Sequence, residues 1–260
     1  MSSSSGQLLI DRPAPGVARL TISNPSKRGA LDHAILDSLT ATMSGLDARC
    51  AIITGVGRTF SAGYDIGTLG DDVLEADKLV AHPFTAALQA IAAYPFPTIA
   101  ALNGHTIGGG LELALACDLR LASDAIKLAM PPATLGLVYS HTGIGRFIDA
   151  IGAPRTRELF LVANAIDARK ALAWGLVNEL AEPDRLEALA LAWATRIAAH
   201  APLAQRGNKR VIEAVLAAAR LDPDVERELI ELRGASLRSA DFGEGVRAFS
   251  EKREPRWQGR

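Results

Sequence analysis

Thr98-Ile99-Ala100-Ala101-Leu102 runs into Asn103-Gly104-His105-Thr106-Ile107 and then into Gly108-Gly109-Gly110-Leu111-Glu112-Leu113-Ala114. The first five residues are uncharged, small or branched, the pattern of a strand buried on both faces. The glycines then open a short predicted helix over Leu111–Cys117. An earlier stretch has the same grammar. Ala51–Thr54 predicts a short buried strand, and Gly55-Val56-Gly57-Arg58-Thr59-Phe60-Ser61-Ala62-Gly63-Tyr64-Asp65-Ile66 follows it. Glycine in such loops lets the backbone approach a ligand and leaves N–H groups pointing outward. Two such loops side by side could present two N–H donors to one carbonyl oxygen, an oxyanion hole. The donor at the start of the helix would add the positive end of the helix dipole. Taken singly, each loop reads as well as a tight strand-to-helix turn.

Working outward, residues 7–12 and 17–23 predict a hairpin about Pro13-Ala14-Pro15-Gly16. Leu31, Ile35, Leu36, Leu39 and Met43 recur at helical spacing over 31–47. A helix over 84–94 precedes the Thr98–Leu102 strand. Strands over 119–123 and 126–130 follow the short helix, with Ser123-Asp124 at the turn. Beyond Pro131-Pro132 the pattern is helical, over about 143–152, 154–163, 167–174, 184–200, 202–220, 222–239 and 241–252. Asp167, Asp222 and Asp241 suit N-cap or first-turn positions. Strands and helices thus alternate to about residue 180 and helices dominate afterwards, which predicts an α/β core with a helical C-terminal extension. That divides the chain into a flexible start (1–6), a core (7–200) and a helical region (201–260) able to pack on its own core or on another subunit. No internal repeat is visible in the sequence.

The chain has 260 residues, with 28 Lys and Arg against 29 Asp and Glu, so the net charge is −1 and no basic excess suggests a nucleic-acid partner. Hydrophobic residues make up 48% and charged residues 22%, which excludes disorder for most of the chain. Residues 79–111 carry no Asp, Glu, Lys or Arg. Pro83, Pro95 and Pro97 and the glycine loops interrupt them, so they predict buried helix, strand and loop rather than a membrane span. No secretory signal is read at the N-terminus. The two cysteines, Cys50 and Cys117, build no disulfide framework and point to a reducing, cytoplasmic compartment.

Several chemistries fall away. Phe60 and Leu113 stand where a dinucleotide fingerprint needs its third glycine, and no phosphate-binding G-x-x-x-x-G-K-[ST] occurs. No G-x-S-x-G elbow surrounds Ser61. The five histidines show no metal-ligand spacing with each other or with the cysteines.

Together the motifs resemble the crotonase superfamily, also called enoyl-CoA hydratase/isomerase. They comprise Asn24-Pro25-Ser26-Lys27-Arg28-Gly29-Ala30-Leu31, Phe60–Ile66, Asn103-Gly104 with Gly108–Ala114, and Cys117-Asp118. Ala168–Leu176, Ala201-Pro202-Leu203-Ala204 and Asp241–Pro255 complete them. The resemblance implies a spiral of ββα turns, a helical C-terminal trimerisation region, a homotrimer or dimer of trimers, and an acyl-CoA thioester ligand with no further cofactor and no metal. It makes the backbone N–H groups of Tyr64 and Gly109 the oxyanion donors and places Glu112 in the active site. Ala62, Asp65 and Ile66, with Ala30 and Gly108, line the coenzyme A channel. Lys27 or Arg28, and Lys252, meet its phosphates.

The chain also departs from the family. Hydratases use a second glutamate four residues before the glycine matched by Gly136, and here that residue is Pro132, which transfers no proton. Tyr139 follows, and Leu135–Tyr139 is similar to the methylmalonyl-CoA decarboxylase branch, in which a tyrosine hydroxyl would orient a carboxylate. That branch has histidine where this chain has Tyr64. Three readings stay open: an atypical hydratase or isomerase, a decarboxylase using Tyr139, and an acyl-CoA binder that no longer catalyses. His82 and His141 are further candidates. Leu135, Leu137, Val138 and Phe147 are apolar candidates for the pocket and predict an acyl group that is not strongly charged.

Overall fold

In the computed structural model, the described residues are 5–65, 73–216, 223–256 and 258; the side chains of 73–81 and of six residues between 225 and 236 are not described. Ten strands and nine helices are found among them: β1 (Gln7–Ala14), β2 (Val17–Ser23), α1 (His33–Gly45), β3 (Cys50–Gly55), β4 (Thr59–Ser61), α2 (Val73–Ala93), β5 (Thr98–Leu102), β6 (His105–Ile107), α3 (Gly109–Ala116), β7 (Leu119–Ser123), β8 (Lys127–Ala129), α4 (His141–Arg157), β9 (Ile166–Asp167), α5 (Ala168–Trp174), β10 (Glu179–Ala181), α6 (Leu186–Ala199), α7 (Pro202–Leu216), α8 (Pro223–Leu237) and α9 (Ala240–Glu251).

The strands form two sheets, a six-stranded one in the order β1-β2-β3-β5-β7-β10 and a four-stranded one in the order β4-β6-β8-β9. Each of β3-β4-α2, β5-β6-α3 and β7-β8-α4 gives one strand to each sheet and then a helix. The chain therefore winds as a spiral of ββα turns, as the resemblance implied. The repeat lies in the connectivity, which is why no sequence repeat betrays it. Pairing is parallel except for the β1–β2 hairpin and the last pair, β8–β9.

Alternation explains the uncharged strands. In β3, Ala51 and Ile53 face the central core with α1 and α2, whereas Cys50 and Ile52 face Leu186, Ala190 and Ala194 of α6. A strand covered on both faces needs apolar residues at every position. Asp32 caps α1 by accepting from Ile35 N, and its other oxygen takes the N–H of Gly6 at 2.6 Å. Of the segment expected to be flexible, residues 1–4 lie outside the described residues.

The strands predicted on either side of the Ser123-Asp124 turn are β7 and β8, and they belong to different sheets. One expectation is corrected. Pro83 does not start or break a helix: α2 begins at Val73 and carries Pro83 within it. The burial of Phe84, Ala87, Leu88 and Ile91 holds that helix together despite the backbone hydrogen bond a proline forgoes. The helix predicted over 202–220 is present over its described part, Pro202–Leu216, and residues 217–222, Asp222 among them, lie outside the described residues. Asp167 does cap α5, whereas Ser239 caps α9 and Asp241 sits in its first turn.

The last three helices attach differently from the core. α7 buries none of its residues and is tied down by Lys209, whose ammonium reaches Asp118 at 2.8 Å. α9 packs against the 3-10 turn Pro132–Leu135, so closely that a Cβ on Gly245 would lie 2.6 Å from the Leu135 carbonyl carbon. No helix among the described residues is long and apolar enough to cross a membrane.

Candidate active site

The two glycine loops meet. Leu31 N donates to Gly63 O at 2.7 Å and Asp65 N to Leu31 O at 3.3 Å, so the Tyr64 peptide faces away from Leu31. Ala62 N donates to Arg28 O, and the Ser61 hydroxyl donates to Gly29 O and accepts from Gly63 N. Ser61 is therefore a structural clamp. On the other side, a Cβ on Gly63 would sit 2.9 Å from Ile107 O and 3.1 Å from Gly109 N, at a φ of +88°. Only glycine permits both that angle and that approach. A Cβ on Gly110 would lie 2.7 Å from Ser61 Cβ and from Ser61 O. The N-terminus of α3 is thus pressed onto the chain leaving β4. Gly109 is the first residue of α3, where the helix itself leaves the N–H unused.

Asn103 fixes the outer part of the same junction. Its side-chain oxygen accepts from Gly55 N at 3.0 Å and its amide donates to Gly57 O at 2.8 Å. The Tyr64 ring lies edge-on to Phe84 of α2, with centroids 4.4 Å apart.

One turn into α3, Glu112 points into a small pocket of about 80 Å³. Its side chain is 4% exposed. The Tyr139 hydroxyl donates to Oε2 at 2.5 Å, and Arg146 Nη1 donates to Oε1 at 3.2 Å. A buried carboxylate needs such partners, because leaving it unpaired costs several kcal/mol. Gly143 makes room: a Cβ there would lie 2.6 Å from Tyr139 Cε1 and 3.0 Å from Glu112 Oε1. Ser140 caps α4 by accepting from Gly143 N at 3.1 Å, which sets Tyr139 just outside the helix and Gly143 and Arg146 one turn within it. Pro132 is buried in its 3-10 turn.

The predicted residues fall into groups. Glu112, Tyr139 and Tyr64 line one pocket, and Gly108 and Gly109 open the helix beside it. Lys27, Arg28, Ala30, Ala62 and Asp65 lie along one hydrogen-bonded junction, with the Lys27 ammonium on the Asp65 carboxylate. Ile66 lies outside the described residues. Lys252 ends α9 with a left-handed backbone and is exposed. His141 reaches Glu226 of α8 at 3.2 Å, and His82 is exposed. Of the apolar residues expected in the pocket, Leu137 lines it, while Phe147 is buried against Phe160. Arg146 and Glu112 both line the pocket, so its walls are not apolar throughout. Sequence reasoning missed Arg146 and Gly143. Their spacing of three puts them on one face of a helix, a signal that becomes useful only when Tyr139 and Glu112 are known to meet there.

Cys50 and Cys117 are buried, and burial pushes both thiols up to about 12, so neither serves as a nucleophile near neutral pH. No group of three or more metal-ligating side chains is found among the described residues.

Residues 13–260 match the family described as enoyl-CoA hydratase/isomerase. The chain is 33% identical over 260 residues to a 2,3-dehydroadipyl-CoA hydratase of Escherichia coli (strain K12), covering 98% of this chain and 99% of that protein. It is 32% identical over 251 residues to a methylmalonyl-CoA decarboxylase of the same organism, covering 94% of this chain and 95% of that one. A solved structure of methylmalonyl-CoA decarboxylase in complex with 2-nitronate-propionyl-CoA superposes with a TM-score of 0.89, at 29% identity, covering 97% of this chain and 98% of that one.

Proposed function

The chain belongs to the enoyl-CoA hydratase/isomerase family, and from that premise we propose that it adds water to a 2-enoyl-CoA while holding the thioester oxygen between the N–H groups of Tyr64 and Gly109. One observation carries the reading: Gly63 and Tyr64 lie against the N-terminus of α3, one helical turn before a buried carboxylate. As water bonds to C3, negative charge passes through the thioester to its oxygen. Two fixed donors and the α3 dipole meet that charge there. Glu112 takes a proton from the attacking water and returns one to C2, so it begins and ends as a carboxylate. Its hydrogen bonds from Tyr139 and Arg146 favour that ionised form. With Pro132 at the second glutamate position, Tyr139 is the second group available to orient the water.

The place of Tyr139 supports a second reading. In a malonyl-type thioester the C–C bond to the carboxylate breaks, CO₂ leaves, and the same two amides hold the enolate until C2 takes a proton. That reaction needs the oxyanion donors and one proton donor, but no second carboxylate.

Coenzyme A lies, in this proposal, along the junction of Lys27–Ala30 with Ala62–Ile66 and Gly108, and Lys252 meets a phosphate. Proton transfer and charge stabilisation suffice, so no metal or redox group is invoked. Two unpaired thiols fit a cytoplasmic enzyme. The exposed apolar residues of α7, Leu203, Val211, Ile212, Val215 and Leu216, fit a homotrimer or dimer of trimers. A single-chain mass in light scattering would overturn that assembly.

The activity is tested by mass spectrometry of thioesters incubated with the protein. Gain of water on crotonyl-CoA is the expected result. Loss of CO₂ from methylmalonyl-CoA without hydration would replace it with the second reading. No change in either thioester, or in a 2-enoyl thioester that ends in a carboxylate, would overturn both and leave an acyl-CoA binder that no longer catalyses.

A further inference from the structure

The active-site pocket shares a wall with a larger cleft. Gln89 and Arg146 line both, and the cleft, of about 800 Å³, is ten times the size of the pocket. Helix α2 gives the pair a direction. Phe84 touches the Tyr64 ring at the thioester end. Leu88 and Gln89, one turn on, line the pocket, and Ala92 and Ala93, a further turn on, line the cleft. An acyl chain whose thioester lies at Tyr64 and Gly109 therefore points its far end at Gln89 and Arg146.

The cleft is apolar along α2 and cationic opposite. Ala92, Ala93 and Pro95 form one side, and α7 brings Arg206, Lys209 and Arg210 against a single acid, Glu213. Lys209 is held by Asp118, and Arg146 spends one N–H on Glu112. A guanidinium has five donors, so most of the Arg146 fork is not used by Glu112. Arg206 and Arg210 make no ion pair among the described residues. Arg206 stands over the Phe96 ring, 5.9 Å from its centroid.

We propose that the site selects acyl groups that end in a carboxylate, with methylenes along α2 and the distal anion at Arg146 and the cationic side of the cleft. This rests on the reading of the pocket as an acyl-CoA site. A neutral chain reaching Arg146 strips water from a guanidinium and supplies no acceptor in return. A carboxylate supplies two acceptors in the geometry of the fork. Arg146 then stands between two carboxylates, the fixed one of Glu112 and the one the substrate brings.

The experiment uses the full chain and two unreactive saturated thioesters of equal length, hexanoyl-CoA and its counterpart ending in a carboxylate, with affinities from titration calorimetry. The carboxylate form is expected to bind about tenfold or more tightly. In Arg146→Gln that preference falls to within about twofold. Arg206→Gln, which leaves Glu112 untouched, lowers it by a smaller factor and covers the case in which Arg146→Gln does not fold. Equal affinities in the unaltered protein, or a preference that survives both substitutions, would overturn the proposal. The matching pair of 2-enoyl thioesters separates it from the reaction. Preference in binding without hydration overturns the hydratase reading alone, and hydration without preference overturns this inference alone.

Discussion

The two ends of the site are made of different material. In the proposed reading the working groups at the thioester end are peptide amides, held by strand-like hydrogen bonds from Leu31 and by glycines at 63, 109 and 110 that let two loops close on each other. At the acyl end they are side chains: Glu112 from α3, Tyr139 from the turn before α4, and Arg146 from α4 itself. A backbone site tolerates changes of side chain around it, so it suits the step every thioester substrate shares. A side-chain site can be rewritten one residue at a time, and Pro132, which the resemblance matches to a glutamate position, would be one such change. The contrast explains how one fold serves relatives named as a hydratase and as a decarboxylase.

The sharpest way to break that division is Glu112→Gln, which keeps the shape of the acyl end and removes its one carboxylate. Loss of a positioned acid–base group costs about 10² to 10⁴ in kcat. The fall should appear in kcat rather than in binding of a saturated acyl-CoA, because the amides are untouched. Comparable loss in both would mean that Glu112 holds the pocket together rather than moving protons. The mirror experiment is Gly110→Ala, whose new Cβ meets Ser61 Cβ and O at 2.7 Å and pushes α3 off the β4 loop. Losing one oxyanion donor costs about 10² to 10³ in rate, and the overpacking a further ~1–3 kcal/mol of stability. Unchanged kcat/KM with a lowered Tm would show that the amides are not where the thioester sits.

The same contrast marks how far the sequence can be read. The Thr98–Leu102 strand was legible to the residue, because an uncharged run bounded by Pro97 and Asn103-Gly104 has one reading. The three-residue strands β4 and β6 were not, because so short a segment has no periodicity of its own and exists through its neighbours in the second sheet. The turn after Ser123 was legible, but that β8 then pairs in the second sheet rather than with β7 was not. Glu112 came from the family resemblance, and the structure places it buried in the pocket wall. Arg146 was not legible, since nothing in one sequence tells which face of α4 meets Glu112.

Within the acyl end, Tyr139→Phe separates the hydroxyl from the ring. The ring still packs against Phe160, with centroids 5.5 Å apart, so stability should hardly move. A hydrogen bond to a charged group is worth ~1.5–3 kcal/mol, which predicts a loss of ~10- to 100-fold in kcat on whichever thioester is turned over. Turnover of either thioester that survives the change would remove the Tyr139 hydroxyl from the reading built on that thioester.

The smallest expected effect concerns the support behind the acyl end. Leu137, in the pocket wall, packs against Phe242 of α9. The chain leaving α9 is folded back onto Glu244, which accepts from Arg253 at 2.6 and 3.1 Å, from the Arg256 N–H at 2.8 Å and from Arg247 at 3.4 Å. Those bonds, that to Arg253 foremost, hold the Glu244 carboxyl down to about 2. A carboxyl lowered in the folded state contributes stability above its unfolded value, about 4.3, and loses it as pH falls through the folded one. Hydrogen-exchange protection of α9 should therefore drop between about pH 4.3 and 2. Protection of α3, which rests on backbone packing at the other end of the site, should outlast it, and Glu244→Gln should flatten the α9 response. Loss of protection in both helices at one pH would mean that the two ends unfold as a unit, and that their difference in construction has no counterpart in stability.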